Sequence, residues 1–81
     1  MRIISQNGVA NINYDMVHLY KDRAKSPKPP QFAIIAWEGW RGSEFILGAY
    51  TTEEQLDAVF EDIVMVGTSD KKVYRMPEDE G

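Results

Sequence analysis

Residues 32–38 and 44–50 read as two strands with apolar side chains on both sides. In the first, Phe32, Ile34 and Ala36 share one face, and Ala33, Ile35 and Trp37 share the other. In the second, Phe45, Leu47 and Ala49 oppose Ile46, Gly48 and Tyr50. Side chains alternate across a strand, so this pattern belongs to strands covered on both sides. Gly39-Trp40-Arg41-Gly42 turns one strand into the other and makes a hairpin. The means of covering it are limited. Only one segment carries a strong helical stripe, formed by Leu56, Val59, Phe60 and Ile63. A helix over about residues 52–66 is roughly 22 Å long and covers one face of a small sheet. The second face must then close on itself or meet another molecule, since left open it is a large apolar patch for a monomer.

The flanking segments supply the remaining elements. Thr51-Thr52-Glu53-Glu54 matches a capping box with Thr51 as the cap and Glu54 reaching back. Val64 and Val66 carry the apolar content on toward Gly67, a suitable residue just past the helix end. Near the start, Arg2 to Gln6 reads as a strand, Asn7-Gly8 as a type I′ turn, and Val9 to Ile12 as the return. A bend at Asn13-Tyr14-Asp15 leads into a third strand, Met16 to Lys21. Asp22 to Gln31 holds Pro27, Pro29 and Pro30 beside Arg23, Lys25 and Lys28, which marks a surface loop. Val73 to Met76 forms a last strand before Pro77. The expectation is an α+β fold: an antiparallel sheet of four to six strands with one helix packed on one face. A single domain spans residues 1–77, and residues 78–81 form an acidic flexible tail.

Composition narrows the chemistry. The 81 residues include no cysteine and one histidine, which removes disulfides, thiolate metal sites and thiol nucleophiles. A chain of this size buries only about 60% of its unfolded surface, so a second subunit is the support to expect. No apolar run approaches a membrane span, the opening is too polar for a signal peptide, and the expected location is the cytoplasm. The net charge of −4 disfavours direct binding to nucleic acid. The lone His18 lies in no serine–histidine–aspartate order, and Glu38 and Glu44 read as the solvent-facing ends of two apolar strands. The glycine-rich turn at residues 39–42 lacks the lysine–hydroxyl pair of a phosphate loop. No catalytic, cofactor or metal residues are assigned.

The opening Met1-Arg2-Ile3-Ile4-Ser5-Gln6-Asn7-Gly8, with Ile12 and Tyr14 following, resembles the start of a group of small hypothetical proteins of Firmicutes and their phages. Gly48-Ala49-Tyr50-Thr51-Thr52-Glu53-Glu54 and Tyr74-Arg75-Met76-Pro77-Glu78-Asp79 are similar to the same group. The resemblance implies a bacterial or prophage origin and a cytoplasmic location. It carries no functional residue.

Two features point to a protein partner. The hairpin offers Phe32, Ile35, Trp37, Trp40, Ile46 and Tyr50 as a candidate interface, with Trp37 as the anchor. The helix offers Glu53, Glu54, Asp57, Glu61 and Asp62 with no lysine or arginine among them. The expected function is a non-catalytic protein-interaction module, with a homodimer through the second sheet face as the first candidate. The alternative is an acidic inhibitor that mimics nucleic acid toward a host nuclease or phage-defence protein. An enzyme is the third reading.

Overall fold

The hairpin forms where its pattern places it, but an irregularity decides which residues face inward. In a computed structural model, which describes residues 1–23, 27–39 and 42–81, β4 (Phe32–Glu38) pairs antiparallel with β5 (Ser43–Tyr50). Ile35 lies opposite Ile46 while Ile34 lies opposite Gly48, so Leu47 is an extra residue on β5. Such a bulge resets the alternation of side chains. Phe45 falls opposite Ala36 before it, and Tyr50 falls opposite Phe32 after it. Phe45, Gly48 and Tyr50 therefore share the side of Phe32, Ile34 and Ala36. β3 (His18–Arg23) pairs with the other edge of β4, giving the order β3-β4-β5.

The helix α1 (Glu53–Gly67) lies on this inner side. Its Leu56, Val59 and Ile63 are buried in one cluster with Ile34, Ala36, Leu47 and Tyr50. A buried apolar side chain of this kind contributes about 1.5–3 kcal/mol, so this stripe anchors the helix to the sheet.

The chain is α+β, but its strands form two three-stranded sheets where a single antiparallel sheet was expected. β1 (Arg2–Ile4) runs antiparallel to β2 (Asn11–Asn13) and parallel to β6 (Val73–Arg75), in the order β2-β1-β6. Parallel pairing joins the two ends of the chain and leaves no local signal. Ile3, Ile12, Tyr74 and Met76 bring this sheet into the same core.

Gln6 ties the two sheets together. Its backbone N–H donates to the Leu47 carbonyl at 2.6 Å. Its side-chain oxygen accepts from the Ala49 N–H at 3.0 Å, and its side-chain nitrogen donates to the Ala49 carbonyl at 3.2 Å. The amide thus supplies Ala49 with both bonds that a neighbouring strand would supply. The same nitrogen donates to the Pro77 carbonyl at 3.2 Å, which also accepts from the Tyr50 hydroxyl at 2.9 Å. Burial pushes the Tyr50 phenol up to about 12.

Local signals were displaced in five places. The third strand, read as Met16 to Lys21 with a loop from Asp22, runs from His18 to Arg23 after a 3-10 turn at Tyr14–Met16. Gly8 alone is left-handed at the first turn, with φ 76°, so the turn is not type I′. It closes through Gly8 N–H to the Ser5 carbonyl, and the return strand begins at Asn11. Thr52, not Thr51, caps the helix, its hydroxyl accepting from Gln55 N–H at 3.2 Å. Gly67 is the last residue of the helix and not the one past its end, and a Cβ there would stand 2.6 Å from the Tyr14 ring. Finally, the tail read as flexible is hydrogen-bonded. Asp79 accepts from the Thr51 N–H at 2.9 Å and from its hydroxyl at 2.6 Å, and Gln55 bonds Glu78 and Glu80.

Two stability predictions follow from these contacts. Thr52→Ala should lower unfolding stability by about 0.5–2 kcal/mol in urea titrations. The Thr51 hydroxyl and amide hold the Asp79 carboxyl below its ordinary value of 3.8. A carboxyl depressed by folding adds stability that is present above its unfolded value and lost as the pH falls through the folded one. The urea midpoint should therefore drop on acidification below about pH 4, and Asp79→Asn should remove part of that drop.

Candidate interaction surface

The register assigns the outer side of the β3-β4-β5 sheet residue by residue. His18 pairs with Trp37, Tyr20 with Ile35 and Asp22 with Ala33. Across the other edge of β4, Trp37 pairs with Glu44 and Ile35 with Ile46. Ile35 is thus central, with Tyr20 and Ile46 as its cross-strand neighbours. Trp37 is flanked by His18 and Glu44. α1 packs on the opposite side, so these residues face away from it.

Exposure follows this geometry. Ile46 is 65% exposed and Trp37 39%, whereas Ala33 is buried and Ile35 half-buried. The Trp37 ring lies beside the His18 ring, with centroids 5.7 Å apart and planes tilted by 37°. A Cβ added at Gly39 would stand 3.2 Å from the Trp37 ring. The Tyr20 hydroxyl donates to Glu44 Oε1 at 3.0 Å, a link from β3 to β5 that passes across β4. That hydrogen bond, with the nearby carboxylate charge, raises the Tyr20 phenol above its ordinary value. The surface has an apolar centre and a rim of phenol, imidazole and two carboxylates, Asp22 and Glu44.

The cations of β3 turn the other way. Lys21 Nζ pairs with Asp57 at 3.0 Å and stands 5.3 Å from the Phe60 ring centroid. Arg23 stands 5.5 Å from the centroid of Phe32. Among the residues of β3, β4 and β5, the carboxylates Asp22 and Glu44 are therefore the charged groups on the outer face beside His18.

The expected interface residues divide accordingly. Ile35, Trp37 and Ile46 lie together on the outer face. Phe32 does not, because it alternates with Ile34 and Ala36 toward the helix. Tyr50 does not either: the extra residue Leu47 reverses its side and leaves it fully buried. Trp40 lies outside the described residues. His18 and Tyr20 belong to the surface but were not assigned to it, since their position depends on the β3–β4 register. Glu38 pairs with Ser43 while Glu44 pairs with Trp37, so the two carboxylates occupy opposite faces of the hairpin.

The five helix acids do not form one line. Asp57 is paired with Lys21 on the β3 flank of the helix. Asp62 accepts from the Tyr74 hydroxyl at 2.8 Å on the β6 flank. Glu53, Glu54 and Glu61 are exposed. Beside Glu61, Phe60, Val64 and Met65 line a shallow apolar hollow.

No family model, curated protein or solved structure matches the chain. The functional reading therefore rests on the chemistry of the surface.

If the outer face is free of structural duty, Ile46→Lys should change stability by no more than about 0.5 kcal/mol. Ile34→Ala on the same sheet, where the side chain is fully buried, should cost about 2–5 kcal/mol. Urea unfolding of the two variants checks the contrast.

Proposed function

We propose that this chain is a non-catalytic protein-interaction module, of bacterial or phage origin and acting in the cytoplasm, that docks a protein on the outer face of its β3-β4-β5 sheet. The observation that carries this reading is the pair Trp37 and Ile46, exposed at diagonal positions of β4 and β5 on a face that the helix does not reach. Covering such side chains yields roughly 25 cal/mol per Å² of apolar area removed from water. Tryptophan is also enriched among residues that dominate interfaces, and the His18 ring lies beside this one. The partner that fits has an apolar patch edged by lysine or arginine, complementary to Asp22 and Glu44. Among the described residues, a second copy docked face to face would set the carboxylates Asp22 and Glu44 of both copies on one rim, so this face suits a different protein better than itself. The origin and location rest on the resemblance of the opening residues, and the absence of cysteine suits a reducing compartment.

The acidic-inhibitor reading draws less support. Asp57 and Asp62 are already engaged within the fold, which leaves Glu53, Glu54 and Glu61 to mimic phosphates.

Capture from bacterial lysate on immobilised protein, followed by titration of the purified partner, separates the two. The docking reading expects Trp37→Ser or Ile46→Lys to weaken the partner at least tenfold while the double variant Glu54→Lys, Glu61→Lys binds as before. Undiminished binding by both sheet variants would overturn it, and loss confined to the helix variant would favour the inhibitor.

A further inference from the structure

The two sheets leave four edges, and they are not equivalent. β2 and β6 are three residues each, too short to template another strand. β5 is covered at Leu47 and Ala49 by Gln6. β3 is six residues long, and among the described residues no strand pairs with its outer side. An unpaired edge of this length presents a row of backbone donors and acceptors to any extended chain.

We propose that two copies of the chain associate through β3, antiparallel about a twofold axis at Tyr20, to form a continuous six-stranded sheet. Residues opposed across such a pair must lie on the same face, which fixes the possible registers to those centred on a residue. Two of these pair most of the strand. Centred on Tyr20, the register sets His18 against Asp22 of the second copy twice, Leu19 against Lys21 twice, and Tyr20 against itself. Centred on Lys21, it sets two ammonium groups directly opposite each other and Leu19 against Arg23. A hydrogen-bonded pair such as imidazole and carboxylate, or an aromatic pair, stabilises two strands where it is directly opposed, and like charges so placed destabilise them. The Tyr20 register is therefore the favoured one, since it gives each Asp22 an imidazole neighbour and keeps the two Lys21 side chains from facing each other.

The charged residues of β3 do not close this edge. Lys21 is drawn to Asp57 on the inner side, and Arg23 to Phe32. Asp22 accepts the Arg23 N–H with one carboxylate oxygen at 2.7 Å, and the other is the one offered to His18. Pairing also addresses size. A three-stranded face this long spans only about 300 Å², given strands ~4.8 Å apart and ~3.3 Å per residue. A stable interface takes about 800 Å² from each partner. Two faces joined edge to edge double the surface that carries Trp37, though the edge pairing stands whether or not that face docks a partner.

The chain has no cysteine, so single-cysteine variants report contacts without background. Light scattering from micromolar to submillimolar concentration should show a dimer. A short bis-maleimide should cross-link Tyr20→Cys in higher yield than Lys21→Cys or Ile46→Cys. Asp22→Lys should raise the dimer dissociation constant at least tenfold, and adding His18→Asp should restore it. A monomer at every concentration would overturn the proposal. So would preferential cross-linking at Lys21→Cys, which marks the other register, or at Ile46→Cys, which marks face-to-face packing. Loss of the Trp37-dependent partner with the Tyr20→Cys cross-link intact would count only against the docking reading.

Discussion

A hairpin that is apolar on both faces is served by one helix, and most of the molecule follows from how that shortage is resolved. The bulge at Leu47 is the deciding element. Without it, Leu47 and Tyr50 would lie on opposite faces of β5, and one large side chain would be lost to the helix side. With it, Leu47 and Tyr50 are both buried against Leu56, Val59 and Ile63, and Ile46 is left outside. The inner layer is thus made richer at the expense of the outer one. What remains outside is small in area but carries Trp37, whose ring lies beside that of His18.

The second sheet depends on Gln6 and on the end of the chain. Gln6 has a backbone bond to Leu47, beside the bulge, and a side-chain pair to Ala49. It therefore holds β5 at the place where its regular pairing is disturbed. Pro77 accepts from both Gln6 and Tyr50, and Asp79 accepts from Thr51, so residues 77–80 bind the start of the helix to the rest. An aspartate there also meets the positive end of the helix dipole. A four-residue acidic stretch can look like a solvated tail and still act as a clasp.

How much of this was legible depended on the range of the interaction. The strand Phe32–Glu38, the helix and the final strand were readable because their patterns are local and periodic. The cap slipped by one residue because Thr51 and Thr52 have the same hydroxyl chemistry, and only the distant Asp79 distinguishes them. Gly67 read as a helix terminator, whereas its lack of a side chain serves the Tyr14 ring from another part of the chain. The parallel pairing of β1 with β6 joins residues at opposite ends and has no sequence signature. For the surface, alternation along β4 placed Ile35 and Trp37 correctly, but the same rule carried through β5 put Tyr50 with Ile46. The bulge breaks that rule, and no glycine or proline at Leu47 announces it. His18 and Tyr20 could have been found only from the β3–β4 register.

The central claim is that the sheet's outer face stays open in the folded chain while the inner face is sealed by the helix. Solvent paramagnetic relaxation enhancement at the isoleucine methyl groups tests it most directly, since the two faces each carry them. The account expects strong enhancement at Ile46 and weak enhancement at Ile34 and Ile63, with Ile35 between, in dilute protein and in the β3-paired dimer alike. Ile46 as protected as Ile34 in dilute protein would contradict it, because the sheet would then close over its own second face.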